Sequence, residues 1–382
     1  MGPLAGVRVL EFEAIGPAPF CNMLLADMGA DVLLVDRVED ARLGFGRERR
    51  YDVMFRGRRS VTLDLKSKES VAAALMLADK ADAVIEGFRP GVMERLGLGP
   101  DVLLARNAKL VYGRMTGWGQ QGPLAARAGH DIDYIALSGA LQSIGRAGDR
   151  PLPPLNLVGD FGGGGMLLAF GVACALFEAQ RSGKGQVVDA AMIDGASLLT
   201  TMIWGMQAAG HWSDERGTNV LDSGAPWYDT YETEDAKFVA IGAIEPKFYT
   251  ELLERLGLAG EALPDQQDRA RWPMLRERLA AAFRTRSREE WCRVFENSDA
   301  CFAPVLTFRE AADHPHARAR NAHVRIGDVT QPAPAPRLSR TPGAAGAAPP
   351  ERGVRGLEAL QSWGFSREEV ERLSSLGLGF TS

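Results

Sequence analysis

Residues 7 to 36, VRVLEFEAIGPAPFCNMLLADMGADVLLVD, read in order as a strand, a loop, a helix and a second strand. Val7 to Phe12 and Asp31 to Asp36 are short apolar runs, and Met23 to Met28 between them has a helical pattern. That order predicts the start of a βαβ unit. The loop opens with Gly16-Pro17-Ala18-Pro19-Phe20, one glycine and two prolines, where a dinucleotide-binding fold wants G-x-G-x-x-G. The dinucleotide reading therefore fails at its key motif.

Similar units follow. Ser60 to Asp64, Ala83 to Glu86 and Leu110 to Met115 read as strands, and Glu69 to Lys80 as an amphipathic helix. Strands and helices in alternation imply an α/β fold with a parallel sheet. A long apolar helix is expected over Met166 to Gln180, a turn at Gly183-Lys184-Gly185, a strand over Gln186 to Ala190 and a second apolar helix over Gly195 to Ala209. From about Pro226 the pattern changes to a hairpin, Trp227 to Glu232 and Phe238 to Gly242. Helices follow near Lys247 to Leu256, Trp272 to Arg284 and Ser287 to Asn297, the last opening with Ser287 and Glu290 spaced as a capping box. These boundaries give a large α/β domain over 1–215 and a smaller α+β domain over 216–325. Residues 326–382 form a Pro/Ala-rich linker, mostly 330 to 353, and a C-terminal segment, helical over Leu357 to Leu376, that returns to the large domain.

Composition bounds the partners. The chain has 382 residues, 46% hydrophobic and 24% charged, with a net charge of −5. It lacks the broad basic face that nucleic acid or an anionic membrane favours, so neither is expected as a partner. Cys21, Cys174, Cys292 and Cys301 are scattered without a CxxC pair, which indicates neither a metal site nor a disulfide framework and fits a reducing compartment. The N-terminus shows no basic and apolar regions of a signal peptide, Gly6 stands where myristoylation wants Ser or Thr, and Phe380-Thr381-Ser382 is no peroxisomal signal. The longest apolar run, Met166 to Phe177, falls short of the ~20 residues that cross a bilayer. A cytoplasmic protein is expected.

Three segments carry groups capable of proton chemistry: Gly129-His130-Asp131-Ile132-Asp133-Tyr134, then Asn156-Leu157-Val158-Gly159-Asp160-Phe161 followed by Gly162 to Gly165, and Gly242-Ala243-Ile244-Glu245-Pro246. Each has a plainer reading. A lone histidine is by default packed or solvated, although Gly129 allows close approach of a ligand, and Asp131, Asp133 and Tyr134 suit the wall of a cleft. Asp160 reads as an N-cap and the glycines as a flexible turn. No Lys-Ser/Thr follows them, so they are no nucleotide-hydrolase phosphate loop, yet bare amides at a helix start can face an anion or oxyanion. Glu245 before Pro246 reads as a helix start.

Together with Met115-Thr116-Gly117-Trp118-Gly119-Gln120, Gly183 to Asp194, Asp229-Thr230-Tyr231-Glu232 and Asn297-Ser298-Asp299-Ala300-Cys301, these segments resemble the family III CoA-transferase (CaiB/BaiF) superfamily, closest to its α-methylacyl-CoA racemases, from Pro3 to about Arg340. The resemblance implies a Rossmann-like large domain and an interlocked homodimer, with the site between the large domain of one chain and the small domain of the other. It implies that His130 and Asp160 are the two bases that remove and return an α-proton, and that Glu245 contacts His130 and sets its protonation. The matching aspartate is also the acyl-accepting nucleophile of CoA-transferases, so Asp160 alone does not name the reaction.

The resemblance further implies that CoA is contacted by Arg37, by Leu63, Asp64, Leu65 and Lys66, by Gly87, Phe88, Arg89 and Arg95, and by Gly129, Asp131 and Tyr134. No cofactor beyond the CoA moiety of the substrate is expected. Several phosphate charges on CoA call for such arginines and lysines at loop ends, although each singly reads as a solvated charge. The arginines among residues 42 to 59 read equally as an electrostatic funnel or an exposed loop. Met192, Met202 and Met206, with Trp204, are by default core, but in these racemases a methionine-rich surface carries the acyl chain.

The chemistry is demanding. Between a thioester α-hydrogen and a histidine base lies a gap of roughly a dozen pKa units, about 17 kcal/mol. Oriented donors, each worth ~3 kcal/mol, must stabilise the enolate, and the glycine-rich helix start beside Asp160 is the candidate donor. The rival readings are a CoA-transferase working through an anhydride on Asp160 and a catalytically silent acyl-CoA-binding protein.

Overall fold

The computed structural model describes residues 2–40, 46 and 48–381. Six strands, β1 (Arg8–Phe12), β2 (Asp31–Asp36), β3 (Arg58–Thr62), β4 (Ala83–Glu86), β5 (Val111–Thr116) and β6 (Val187–Ala191), pair in parallel in the order β3-β2-β1-β4-β5-β6. Apolar residues at successive positions serve opposite faces, as the strand period requires. Leu10, Leu33, Val84 and Tyr112 lie in one core with α2 (Lys68–Ala78), while their neighbours Val9, Val32, Ile85 and Val111 lie in the other with α1 (Pro17–Asp27). The order reverses between β1 and β4, the crevice where open α/β sheets bind ligands.

Two helices start earlier than expected. Helix α1 begins at Pro17 rather than Met23, because Gly16 turns the chain at φ 66° and Pro17 suits the first helical position. The larger correction concerns the helix expected from Met166. It begins at Leu157, as a π-helix over Leu157–Met166 that continues without a break into α4 (Leu167–Ser182). Asp160 is thus inside a helix and is no N-cap; the position before the helix is Asn156. The combined 26-residue helix is also long and apolar enough to cross a bilayer by length and composition, unlike the shorter run expected.

The glycine run explains itself by packing. A Cβ on Gly163 would lie 2.6 Å from the amide nitrogen of Ala196, and one on Gly165 2.7 Å from the carbonyl oxygen of Pro17. The π-helix therefore lies backbone to backbone against α5 (Met192–Leu199) and α1. The glycines are neither a flexible turn nor a helix start. The second apolar helix is two, α5 and α6 (Thr201–Ala208), divided at Thr200, whose Oγ1 donates to the Ser197 carbonyl at 2.8 Å.

The chain divides into two compact units, 1–138 with 155–200 and 318–382, and 139–154 with 201–317. The small unit thus takes a loop from the first half of the chain and begins at 201 rather than 216. The Arg146 guanidinium on Asp229 at 2.7 Å and Arg216 on the Gln142 carbonyl at 3.1 Å tie that loop in. Its antiparallel sheet, β7 (Tyr228–Glu232), β8 (Phe238–Gly242) and β9 (Phe302–Pro304), buries Tyr231, Val239 and Ile241 against α7 (Pro246–Leu256), α8 (Trp272–Phe283) and α9 (Arg288–Val294). Ser287 and Glu290 form the expected capping box of α9.

The tail belongs to the large unit. It contains two helices, α10 (Gly356–Ser362) and α11 (Arg367–Ser375), separated by Gly364 at φ 78°. Ser60 N–H donates to the Val354 carbonyl and Thr62 bridges Gly379, so the tail covers the open edge of β3, while Trp363 and Leu373 enter the core. Of the basic stretch, Arg42 and Arg47 lie outside the described residues. Arg56 pairs with buried Asp27, Arg58 with buried Glu11 at 2.8 Å, and Arg49 with Asp36 at 2.9 Å. These arginines are spent on internal carboxylates.

Candidate active site

The candidate residues of the large unit follow the carboxyl ends of its strands. Arg37 succeeds β2, Leu63 to Lys66 succeed β3, Gly87 to Arg95 succeed β4, and the segment containing His130 succeeds β5. Parallel strands necessarily bring such loops to one edge. Asp64, Lys66, Gly87, Arg89 and Arg95 are exposed there. Leu63 is 2% exposed in the core and has only its backbone to offer a ligand, whereas Leu65 and Phe88 are half-buried and pack against that core.

A carboxylate that sequence reasoning missed anchors the β4 loop. Glu86 accepts from the Phe88 amide at 2.7 Å and from Arg114 Nε at 3.0 Å, and Arg114 reaches Glu94 at 2.8 Å. Burial pushes the Glu86 carboxyl up to about 7, against the pull of the Phe88 amide and of an Arg114 shared with Glu94. Arg37 is held in a comparable way. Glu13 accepts its amide at 2.9 Å, and Arg352 of the tail donates to Glu13 at 2.8 Å and to the Arg37 carbonyl at 3.0 Å. Burial works to raise the Glu13 carboxyl, but these bonds hold it below its ordinary value. The only cue in the sequence was an acidic residue closing or following each strand.

His130 is exposed, in extended conformation just ahead of α3 (Asp131–Leu137), and its amide donates to Asp133 Oδ2 at 2.9 Å. Gly129 serves packing rather than ligand approach, since a Cβ there would meet Tyr134 Cε1 at 2.7 Å. The Tyr134 hydroxyl donates to the Gly129 carbonyl and its ring stands edge-on to Trp118 at 4.7 Å, so Tyr134 braces the loop. Asp131 is 5% exposed, and its Oδ2 accepts the Asp160 amide at 2.7 Å. That bond joins the His130 segment to the π-helix.

Asp160 is half-buried and accepts from Asn156 Nδ2 at 3.0 Å, with Gly16 of the β1–α1 loop beside its carboxylate. Burial raises its proton affinity and the Asp131 charge adds to this, while the Asn156 amide and the charge of His130 work the other way. A carboxyl so tuned, tied through Asp131 to the segment that carries His130, is suited to proton transfer. The amides of the glycine run are buried in helix packing and are not the expected donors. Glu245 stands in the small unit, exposed, preceding α7 with Pro246 at the first helical position. Met192 is buried in the core of the large unit, whereas Met202 and Trp204 of α6 are exposed.

The fold and this edge define a class. The chain belongs to CoA-transferase family III, whose family model matches residues 4–355. It is 47% identical to the α-methylacyl-CoA racemase of Mus musculus, covering 97% of this chain and 96% of that protein. To the α-methylacyl-CoA racemase of Homo sapiens it is 44% identical, again over 97% and 96%. A crystal structure of a CaiB/BaiF family protein from Brucella suis shares the fold, with a TM-score of 0.83 at 24% identity over 95% of this chain and 99% of that one.

Proposed function

We propose that this protein is an acyl-CoA racemase that inverts 2-methylacyl-CoA thioesters at the α-carbon. The observation that carries the reading is the placement of Asp160, whose amide is held at 2.7 Å by the carboxylate of Asp131, the residue next to His130, and whose carboxyl burial raises in proton affinity. Such a carboxylate is a stronger base, and its acid form persists nearer neutrality. One of the pair removes the α-hydrogen as a proton, and the C–H electron pair moves into the thioester carbonyl as an enolate. The acid form of the other returns a proton to the opposite face. The two roles reverse with the direction of inversion. Likeness to two racemases over nearly the whole chain supports this assignment.

In this reading Arg37, Lys66, Arg89 and Arg95 hold the CoA phosphates, and Glu245 orients His130 within an interlocked homodimer. Phe170, Phe177, Leu198 and Leu199 of the large unit are each more than half exposed on a single chain, apolar side chains of the kind a second copy covers. The family also contains transferases, in which Asp160 would attack the thioester carbonyl and hold the acyl group as an anhydride. His130 favours the racemase, because transfer needs no second proton carrier.

The test is incubation of an enantiopure 2-methylacyl-CoA in deuterium oxide. Deuterium at the α-carbon with inversion, without an acceptor acid, is expected; CoA passing to an added carboxylate without exchange would make the protein a transferase. His130→Ala and Asp160→Ala should each abolish most inversion with the fold intact.

A further inference from the structure

We propose that Asp131 is a positioning residue, whose carboxylate, bonded to the first turn of the π-helix, sets where the Asp160 carboxyl stands relative to His130. The inference rests on the racemase reading and corrects the role that resemblance implies for the Asp131 side chain. That side chain is buried and turned into the protein. One oxygen, Oδ2, accepts the Asp160 amide at 2.7 Å, and burial raises the proton affinity of the carboxyl against the pull of the Asp160 and Gly159 amides. The other oxygen, Oδ1, is buried with no hydrogen-bond partner.

Residue 159 is built around this contact. A Cβ on Gly159 would lie 2.6 Å from Asp131 Oδ2 and 2.9 Å from its Cγ, so any larger residue would push the carboxylate off the helix. His130 and Asp131 are consecutive, so a single peptide step links one base to the carboxylate that holds the amide of the other. The opposite side of the joint is poorly restrained by itself, since a helix start leaves its first amides without intrahelical partners, and Leu155 just ahead of it has φ 58°. A neutral cap would satisfy those amides without leaving a buried oxygen unpaired. The charge therefore has a use beyond capping.

Burial is the main cause of the raised proton affinity of Asp160, and the Asp131 charge adds to it. The groups acting on its carboxyl are Asp131, Asn156 and His130, with Tyr134 of α3 perturbed by it in turn; Gly16, which faces it from the β1–α1 loop, is uncharged. Asp131 is the one of these that makes Asp160 a stronger base.

Two variants separate geometry from charge. Asp131→Asn keeps a carbonyl oxygen for the Asp160 amide but loses the charge; Asp131→Ala loses both. Asp131→Ala is expected to lower kcat roughly 10- to 100-fold with KM for the acyl-CoA little changed. Asp131→Asn is expected to retain most of kcat while the acidic limb of the kcat/KM profile moves to lower pH by about one unit. A KM rise with kcat unchanged would return Asp131 to CoA binding and overturn the inference, as would an Asp131→Asn variant that loses as much kcat as Asp131→Ala. If the parent exchanges no α-hydrogen, the racemase reading falls on its own. The amide proton shift of Asp160 then decides: a move in Asp131→Ala that Asp131→Asn largely restores supports the positioning role, and an unmoved shift in Asp131→Ala overturns it.

Discussion

Glu86 closes β4 at 1% exposure, yet it must share Arg114 with the more exposed Glu94. Its raised proton affinity means that the folded state holds the proton more tightly than the unfolded chain. The stabilisation is complete below the ordinary carboxyl pKa of 4.5 and is lost as pH rises from there through about 7, by roughly 3 kcal/mol. Glu86→Gln should flatten that part of the profile, read from urea midpoints at pH 5 and pH 8; an unaltered slope would show that Glu86 is already ionised at pH 5. At the same scale Arg95→Ala should weaken CoA-ester binding several-fold in a direct titration, and unchanged affinity removes it from the site. His130 and Asp160 were legible in the sequence through short motifs. Glu13, Glu86 and Arg352 were not, because their partners lie up to 339 residues away in the chain and a carboxylate closing a strand looks like any other.

Among the elements, the π-helix departs furthest from its expected form. Helical periodicity counts apolar side chains, and four consecutive glycines supply none, so the helix appeared to begin after them. Their purpose is close backbone approach, which makes Gly163→Ala costly: its Cβ would meet backbone atoms of α5 that cannot turn aside. A loss of ~2 kcal/mol or more in denaturant unfolding is expected. Gly205 in α6 is the contrast, with open space around its Cβ position. Gly205→Ala should gain up to ~1 kcal/mol from helix propensity alone. Equal effects at the two positions would mean that propensity, not packing, governs the glycine run.

For the whole molecule, the tail and the exposed apolar surface make separate predictions. Trp363 of the tail is 1% exposed in the core on the α2 face of the sheet. Trp363→Ala should cost ~3–5 kcal/mol, detected as a lower urea midpoint, although it lies outside every catalytic motif. Sedimentation should give a mass twice the 41.3 kDa of the chain, and Phe170→Asp should shift it toward the monomer. A monomeric parent would sink the dimer proposal.

By itself the sequence determined the parallel α/β class, the small antiparallel region and the candidate bases, because strand and helix periods and short motifs are local properties of the chain. Only the tertiary structure decided what the buried polar groups do. It turned Asp131 onto the Asp160 amide, gave Gly129 and Gly163 to packing, clasped Glu13 with Arg352, and drew residues 139–154 into the small unit. The physical reason is common to all four: a buried charge or a close backbone contact takes its partner from whatever the fold brings near, and sequence separation carries no record of that distance.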